Sequence, residues 1–345
     1  MDTLTHTLTA VAISRCYFKK RVAYATSALI IAANLPDLDM IYSWPGIRTI
    51  EYHRGVLHSL WMLPVWAVLV AWGLRWSVHR WPVKRQAGTA GPLPVPGWGI
   101  GIALGLAGVG SHIVLDWTNA YGIRLFAPFS QHWFALDLMP IWDPYLWVLL
   151  AAVLGFPMLL SLITNEVGAI GKNPHRVSGV LALLVLAGWL GVRQRAHNQA
   201  LDLLNAPNVS GLYEGELPLN WAAFPQSASP YDWQAVVDLP SQYLITDVRS
   251  PWDENQGHVR LLRSYIKPPQ PPAIAAAEGT ATAKVFLGFA RFPLALVETD
   301  SGQSLVILTD MRFAHGIERP AMHVDVRLSE SQQIIGQGFS WRRGN

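Results

Sequence analysis

Long apolar segments dominate the first two hundred residues of the chain and become rare after them. A helix that spans a bilayer needs about 20 mostly apolar residues. Five segments approach that length, at residues 23–41, 59–77, 98–117, 142–164 and 177–192. A sixth, at residues 4–18, is shorter and contains His6, so it either spans the membrane or only dips into it. The pattern predicts an α-helical integral membrane domain with about six spans.

Short alternations of apolar and polar residues follow after about residue 200. WQAVVDL, QYLITDV, VRLLRSYI, AKVFLGFARF, PLALVETDSGQSLVILTDMRF and AMHVDVRLSESQQIIGQGFSW are typical of strands, with turns near Asp300 and Ser329. The proline-rich KPPQPPAIAAAEGT is expected to be an exposed loop. We therefore predict a membrane domain at residues 1–196 and a small, mainly antiparallel β domain outside the membrane at residues 197–345.

Composition supports a membrane protein. Charged residues make up 14% of the chain, against roughly 25% in soluble domains, and the mean hydropathy is +0.24. The single cysteine, Cys16, excludes an internal disulfide and a cysteine-rich metal site. Any bound metal must therefore be held by histidine, aspartate or glutamate.

The basic residues cluster beside the apolar segments, which is typical of membrane orientation rather than of nucleic-acid binding. If the first segment spans with its N-terminal end outside, the inner loops carry ten lysines and arginines and the two outer loops carry Arg48, Arg54 and Arg124. Cytoplasmic loops carry the excess of positive charge. We therefore expect six spans with both ends of the chain outside, and a periplasmic C-terminal domain.

This topology brings ionisable residues from four segments to the outer face of the membrane. Ionisable groups inside spanning segments cost a few kcal/mol each, so they indicate function by default. His112 and Asp116 are spaced i and i+4, which places both side chains on one helical face. They either bind one metal ion or form a structural pair in which the aspartate satisfies the histidine.

Two shorter motifs supply further candidates. Asp37 and Asp39 follow Pro36, which ends or kinks the second span, and they either bind metal or cap the next turn. His53 and His58 are five residues apart and do not share a face of one continuous helix. Their neighbour Arg54 suits a phosphate or carboxylate on a substrate, or pairs with Glu51.

Neutral imidazole and carboxylate together favour Zn, Mn or Fe, with zinc the first choice. Seven candidates exceed the three protein ligands of an open zinc site, so either two ions bind or some residues lie behind the ligands. A bound ion would lower the pKa of water toward neutrality. Asp37 or Asp39 is the candidate general base.

Asp143, followed by Pro144, is expected to cap the fifth span.

The motifs LTHTLTA, NLPDLD, HRGVLHS, SHIVLDW and APFSQHWFALDLMPIWDP together resemble the bacterial inner-membrane family of metal-dependent hydrolases related to YdjM, some of whose members are regulated by LexA. The resemblance covers about residues 1–200, and the β-rich remainder is similar to the extension of longer members. It implies hydrolase activity, an inner-membrane location and metal ligands at His6, Asp37, Asp39, His53, His58, His112 and Asp116. A distant similarity to zinc-dependent phospholipase C favours phosphoester cleavage, with Arg54 as phosphate clamp.

We therefore expect a membrane-bound metal-dependent hydrolase whose site opens at the periplasmic face. An amphiphilic or phosphorylated substrate would reach it through the lipid bilayer, and no nucleic-acid partner is expected. The alternative is a divalent-metal or ion transporter, or a metal-binding membrane protein without hydrolase activity. A transporter predicts ionisable residues at mid-bilayer and on both sides. The sequence does not indicate the oligomeric state.

Overall fold

The structure, a computed structural model, describes residues 1–19, 21–82, 95–164, 174–207, 209–253, 256–269, 271–300, 302–314 and 321–341. The helices among them are α1 (Thr3–Ile13), α2 (Ala25–Ala32), α3 (Met40–Ser43), α4 (Ile47–Tyr52), α5 (Met62–Arg80), α6 (Trp98–Trp117), α7 (Pro144–Thr164), α8 (Pro174–Leu204), α9 (Pro272–Glu278) and α10 (Ala281–Phe289). A π-helical segment, Ser14–Phe18, continues α1.

The chain divides into two compact units. The first comprises Met1–Asp39 and Arg54–Val192, and the second comprises Met40–His53 and Arg193–Asn345. The expected boundary between residues 196 and 197 lies within α8 and stays a prediction.

Six membrane spans are not supported by the part of the chain that the structure describes. Two helices, Trp98–Trp117 and His175–Leu204, are long and apolar enough to cross a membrane, or three if the bent pair Ile47–His58 and Met62–Arg80 is one span. The expected span at 23–41 shows why the count falls. Its helix ends at Ala32, and the chain continues into a 3-10 turn at Pro36–Asp39, because proline cannot donate a backbone hydrogen bond and restricts the residue before it.

Glycines on one face of α6 let its neighbours approach closely in the first unit. A Cβ atom at Gly105 would lie 2.6 Å from the Cα of Ala67 on α5. A Cβ atom at Gly108 would lie 2.5 Å from the Cβ of Ala32, the last residue of α2. Within a membrane no hydrophobic effect drives helices together, so they pack through close contacts that small residues allow. The next turn of the same α6 face carries His112, so this packing sets the position of its ring.

The second unit contains two four-stranded antiparallel sheets, as the sequence predicts. One has the order β1-β2-β3-β4 and the other β5-β6-β7-β8. The strands are β1 (Asn220–Pro225), β2 (Asp232–Asp238), β3 (Gln242–Arg249), β4 (His258–Ile266), β5 (Pro293–Asp300), β6 (Gln303–Asp310), β7 (Met322–Leu328) and β8 (Ile334–Trp341). The C-terminal part of α8 packs its Ala196, Ala200 and Leu204 into the core of the first sheet with Trp233.

Two expectations for this unit are wrong. AKVFLGFARF forms helix α10 instead of a strand, and its buried Ala283, Phe286 and Phe289 recur every three residues, which is a helical spacing. KPPQPPAIAAAEGT contains helix α9 instead of an exposed loop throughout, and Ala273, Ile274 and Ala277 are buried. The apolar residues of the first segment are compatible with a strand or a helix, and the alanine-rich second segment is compatible with a loop or a helix. Packing against the sheet decides for the helix in both.

Candidate metal centre

Four elements of the first unit bring their ionisable side chains together. His6 lies on α1, Asp37 and Asp39 on the 3-10 turn Pro36–Asp39, and His58 at the end of a second 3-10 turn, Val56–His58. Both turns follow the breaks that Pro36 and Gly55 introduce. His112 and Asp116 occupy the last two turns of α6. The cluster therefore forms where helices end or break.

Four of these side chains surround one small volume. The Nε2 atom of His58 lies 3.3 Å from Oδ1 of Asp37 and 3.7 Å from Oδ2 of Asp116. The Nε2 atom of His112 lies 3.6 Å from Oδ1 of Asp37 and 3.4 Å from Oδ2 of Asp116. All four ligand atoms lie within 4.8 Å of one another.

These separations match the spacing of ligands around a single ion. Four ligands at about 2.0–2.1 Å in a tetrahedron are separated from one another by about 3.3–3.4 Å. The four measured edges, 3.3, 3.4, 3.6 and 3.7 Å, are at or slightly above that value. Two imidazoles and two carboxylates suit zinc among the common divalent ions. His58, His112, Asp37 and Asp116 could therefore hold one metal ion with little rearrangement.

Both histidines are oriented from behind. The Nδ1 atom of His112 lies 2.7 Å from the carbonyl oxygen of Ala33. A carbonyl can only accept, so Nδ1 carries the proton and Nε2 keeps its lone pair toward the cluster. The Nδ1 atom of His58 lies 3.1 Å from Oδ2 of Asp39. Carbonyl and carboxylate partners of this kind fix the tautomer and ring orientation of metal-binding histidines.

Asp116 is fixed through its other oxygen. Its Oδ1 lies 3.1 Å from Nη2 of Arg54 and also contacts the amino group of Met1. The Arg54 guanidinium donates from Nη1 to the carbonyl oxygen of Gly122 at 3.1 Å and to Oδ1 of Asn119 at 3.5 Å. Arg54 is 4% exposed, so its charge faces Asp116 inside the protein. The arrangement leaves Oδ2 of Asp116 for the cluster.

Arg54 also ties the loop to the cluster through its backbone. Its φ angle is +56°, in the left-handed region that non-glycine residues rarely adopt. In this conformation its backbone N–H donates to Oδ2 of Asp39 at 3.2 Å. The same aspartate oxygen therefore accepts from Arg54 and faces the ring of His58, which makes Asp39 the link between the two turns.

His6 lies against the cluster without joining the four-atom group. Its ring stacks on that of His112 with centroids 3.9 Å apart, and its Nε2 lies 3.5 Å from Oδ1 of Asp116. The side chain is fully buried, and neither ring nitrogen has a hydrogen-bond partner within the described structure. A buried imidazole in this state costs free energy unless something else satisfies it.

Buried atoms without a hydrogen-bond partner are a second observation that fits a metal ion. Among the described residues, Nε2 of His112 and Oδ2 of Asp116 are buried and make no hydrogen bond. Both belong to the four-atom group, and both are good ligands for a divalent ion. Leaving a buried polar atom unpaired costs about 1–3 kcal/mol, a penalty that a bound ion would remove. The residues present therefore fit a metal ion.

The predicted site residues separate into groups. Asp37, His58, His112 and Asp116 supply the four ligand atoms, and these four residues are called the ring below. Asp39 and Arg54 contact members of the ring from the side that faces away from the ligand atoms. His53 is the residue that follows α4, is half-buried and is part of the second unit. The sequence did not indicate the roles of Ala33 and Asn119, whose contacts are made by a carbonyl oxygen and an amide. The glycine spacing of α6 was the available signal for its close approach to α2.

The ring is closed except at one edge. His58, His112 and Asp116 are fully buried, whereas the side chain of Asp37 is 24% exposed. Leu38, which follows Asp37, and Val56, two residues before His58, are each 44% exposed. Access to the cluster is therefore through the Asp37 edge, beside apolar side chains.

Comparison with known proteins adds one match. The family model described as YdjM inner membrane protein matches residues 1–200, which include every residue of the cluster. No curated protein and no solved structure matches the chain.

Proposed function

The chain belongs to the YdjM inner membrane protein family, and we propose that it is a membrane-bound, metal-dependent hydrolase with one zinc-type site. The ligands are His58, His112, Asp37 and Asp116. The observation that carries the proposal is the ring of four ligand atoms with edges of 3.3–3.7 Å. When bound, the ion would supply Lewis-acid polarisation and, by taking a fifth ligand beside these four, water of lowered pKa.

The buried side chains around the ring position its ligands. Asp39 and the carbonyl oxygen of Ala33 hold the two imidazoles so that Nε2 faces the ion. Arg54 holds Asp116 through Oδ1 and keeps Oδ2 on the ring. We assign Arg54 this positioning role in preference to the expected phosphate clamp, because its guanidinium is 4% exposed and faces Asp116.

Asp37 is the group that we assign to proton transfer. It is the ring member with solvent access, so a substrate and a water molecule would both meet it first. A carboxylate that binds with one oxygen keeps the second oxygen to accept a proton from water or to return it to a leaving group. Asp39 was the other candidate, but it is fully buried against His58 and the backbone of Arg54.

The membrane and the apolar edge of the site favour an amphiphilic substrate with a phosphoester or similar polar head. We also propose that the cluster lies at the periplasmic side, away from the loops that carry the excess of lysine and arginine. A substrate dissolved in the bilayer would reach the Asp37 edge by lateral diffusion, past the exposed Leu38 and Val56, with its head at the ion.

Bound metal and activity together test the proposal. The full chain is purified in detergent, loaded with zinc and dialysed, and its metal is counted by mass spectrometry beside a His112→Ala/Asp116→Ala variant. We expect about one equivalent in the wild type, loss in a variant that keeps its helical circular dichroism, and metal-dependent release of phosphate from lipid phosphoesters.

Two results would contradict it. If the wild-type protein takes up no zinc, manganese or iron, the metal-dependent mechanism is wrong. Protein that binds one ion tightly, hydrolyses no lipid phosphoester or carboxylic ester, and moves the ion across liposome membranes would support the transporter alternative instead.

A further inference from the structure

An apolar groove runs along the first unit between α2 and α5. It has a volume of about 660 Å³, and the side chains that line it include no charged residue. Ile31 of α2 is 59% exposed on it, and Leu69 and Trp72 of α5 are 48% and 60% exposed. Exposed apolar surface of this extent marks a binding site or contact with lipid.

One end of the groove lies beside the candidate metal centre. Its lining includes Leu35, two residues before Asp37 in the chain, and Trp66. The indole Nε1 of Trp66 donates to the carbonyl oxygen of Leu57 at 3.0 Å, and Leu57 directly precedes His58. The groove therefore begins next to two of the four ring members, one of which is the exposed one.

The other end is bounded. The hydroxyl group of Tyr24, before α2, donates to the carbonyl oxygen of Trp81, after α5, at 2.8 Å, and both residues line the groove. Trp66 and Trp81 are 15 residues apart, so the groove extends about 22 Å at 1.5 Å per residue. Half of a bilayer's hydrocarbon core is about 15 Å. The groove is thus long enough for one lipid tail.

We propose that this groove holds a single hydrocarbon chain of a membrane phospholipid-type amphiphile whose phosphate head reaches the metal centre at Asp37. The inference rests on the proposed function and names its substrate class. A bulk lipid would cover any apolar face, but an uncharged lining, a far end bounded by Tyr24 and Trp81 and a near end beside the metal centre select an amphiphile with its head at Asp37. The bilayer supplies such a molecule directly.

Gly73 offers a way to fill the groove without damaging the fold. It lines the groove on α5, and a Cβ atom added there meets nothing within 4 Å. Gly155 on α7 is also half-buried with nothing within 4 Å of an added Cβ atom, but it is not among the groove's lining residues. Gly73→Leu and Gly155→Leu are therefore a matched pair.

The test uses a lysophosphatidic acid that carries a diazirine near the end of its acyl chain. The zinc-loaded full chain in phosphatidylcholine nanodiscs is irradiated with this probe, and the adducts are mapped by peptide mass spectrometry. We expect adducts concentrated on the groove-lining residues of α2 and α5. Gly73→Leu should lower them by roughly tenfold, whereas Gly155→Leu should leave them unchanged, and both variants should keep their zinc.

Removing zinc tests the placement of the head. Metal-free wild type should bind the probe roughly tenfold more weakly than zinc-loaded protein. Adducts spread evenly over the exposed faces of α5 and α6, and insensitive to Gly73→Leu in zinc-loaded protein, would overturn the groove and leave the proposed hydrolase intact. A wild type without zinc but with groove adducts would contradict the proposed function and support the tail site.

Discussion

The Nδ1 atom of His112 lies 2.7 Å from the carbonyl oxygen of Ala33. Ala33 is the residue that caps the C-terminal end of α2, where helix carbonyls have no partner within the helix. The end of one helix thus orients a candidate ligand on another. The contact depends on the close approach of α2 to α6 at Gly108, one turn before His112.

A methyl group at Gly108 should disturb the metal centre. The added Cβ atom would lie 2.5 Å from that of Ala32, so the helices must separate. Overpacking of this kind costs about 1–3 kcal/mol. Gly108→Ala is expected to lower the thermal unfolding temperature in detergent and to weaken zinc binding, measured by competition with a chelator. Gly110→Ala, where an added Cβ atom meets nothing within 4 Å, should change neither; equal effects of both variants would contradict the account.

The carboxylate of Asp39 should strengthen metal binding without touching the ion. Asp39→Asn keeps the size of the side chain but removes the charge that faces Nδ1 of His58. Loss of such a partner typically lowers metal affinity by about 10–100-fold. Chelator competition on the purified chain measures this, with zinc stoichiometry as a control that the site still fills. An unchanged affinity would show that Asp39 does not orient His58.

Variants of Arg54 distinguish a residue that positions Asp116 from one that binds the substrate directly. Arg54→Met leaves Asp116 without its buried guanidinium partner, and breaking a buried ion pair costs about 3–5 kcal/mol. We expect lower stability and weaker zinc binding, partly restored in Arg54→Lys. Zinc titration and thermal unfolding provide the two readouts. If instead zinc affinity is unchanged and only the KM for a phosphorylated substrate rises, Arg54 is the clamp that the sequence suggested.

Asp143 should affect stability alone. Its Oδ1 accepts from the backbone N–H of Leu146 at 3.0 Å, and its Oδ2 accepts from the indole of Trp189 at 2.9 Å. It thus caps α7, as the Asp-Pro pair predicts. Asp143→Ala is expected to destabilise the protein by about 0.5–2 kcal/mol, the usual cost of losing a cap, while zinc stoichiometry stays at the wild-type value. A variant that loses zinc while remaining folded would tie Asp143 to the site.

The sequence indicated which ionisable side chains come together better than it indicated what surrounds them. The i and i+4 spacing of His112 and Asp116 places both on one face, and their ligand atoms are 3.4 Å apart. The family resemblance agrees with the family match over residues 1–200. Side-chain spacing within one helix is a local property, so it can be read from the chain directly.

Contacts between distant segments could not be predicted in the same way. The carbonyl oxygen of Ala33 has no sequence signature, and the pairing of Arg54 with Asp116 joins residues 62 positions apart. Hydropathy also overestimated the number of membrane spans, because it counts apolar residues on both sides of Pro36 as one segment although the helix ends before that residue. For α10 a largely apolar segment of nine residues fitted a strand as well as a helix.

X-ray absorption at the zinc edge tests the central claim most directly, because it counts the ligands of the bound ion. The zinc-loaded full chain should show two imidazoles and two oxygen ligands from carboxylates at about 2.0–2.1 Å, and an exposed-residue control, His132→Ala, should give the same spectrum. His112→Ala should lose one imidazole or the ion altogether. A wild-type spectrum with no imidazole ligand, or with only water-like oxygen ligands, would contradict the four-residue site.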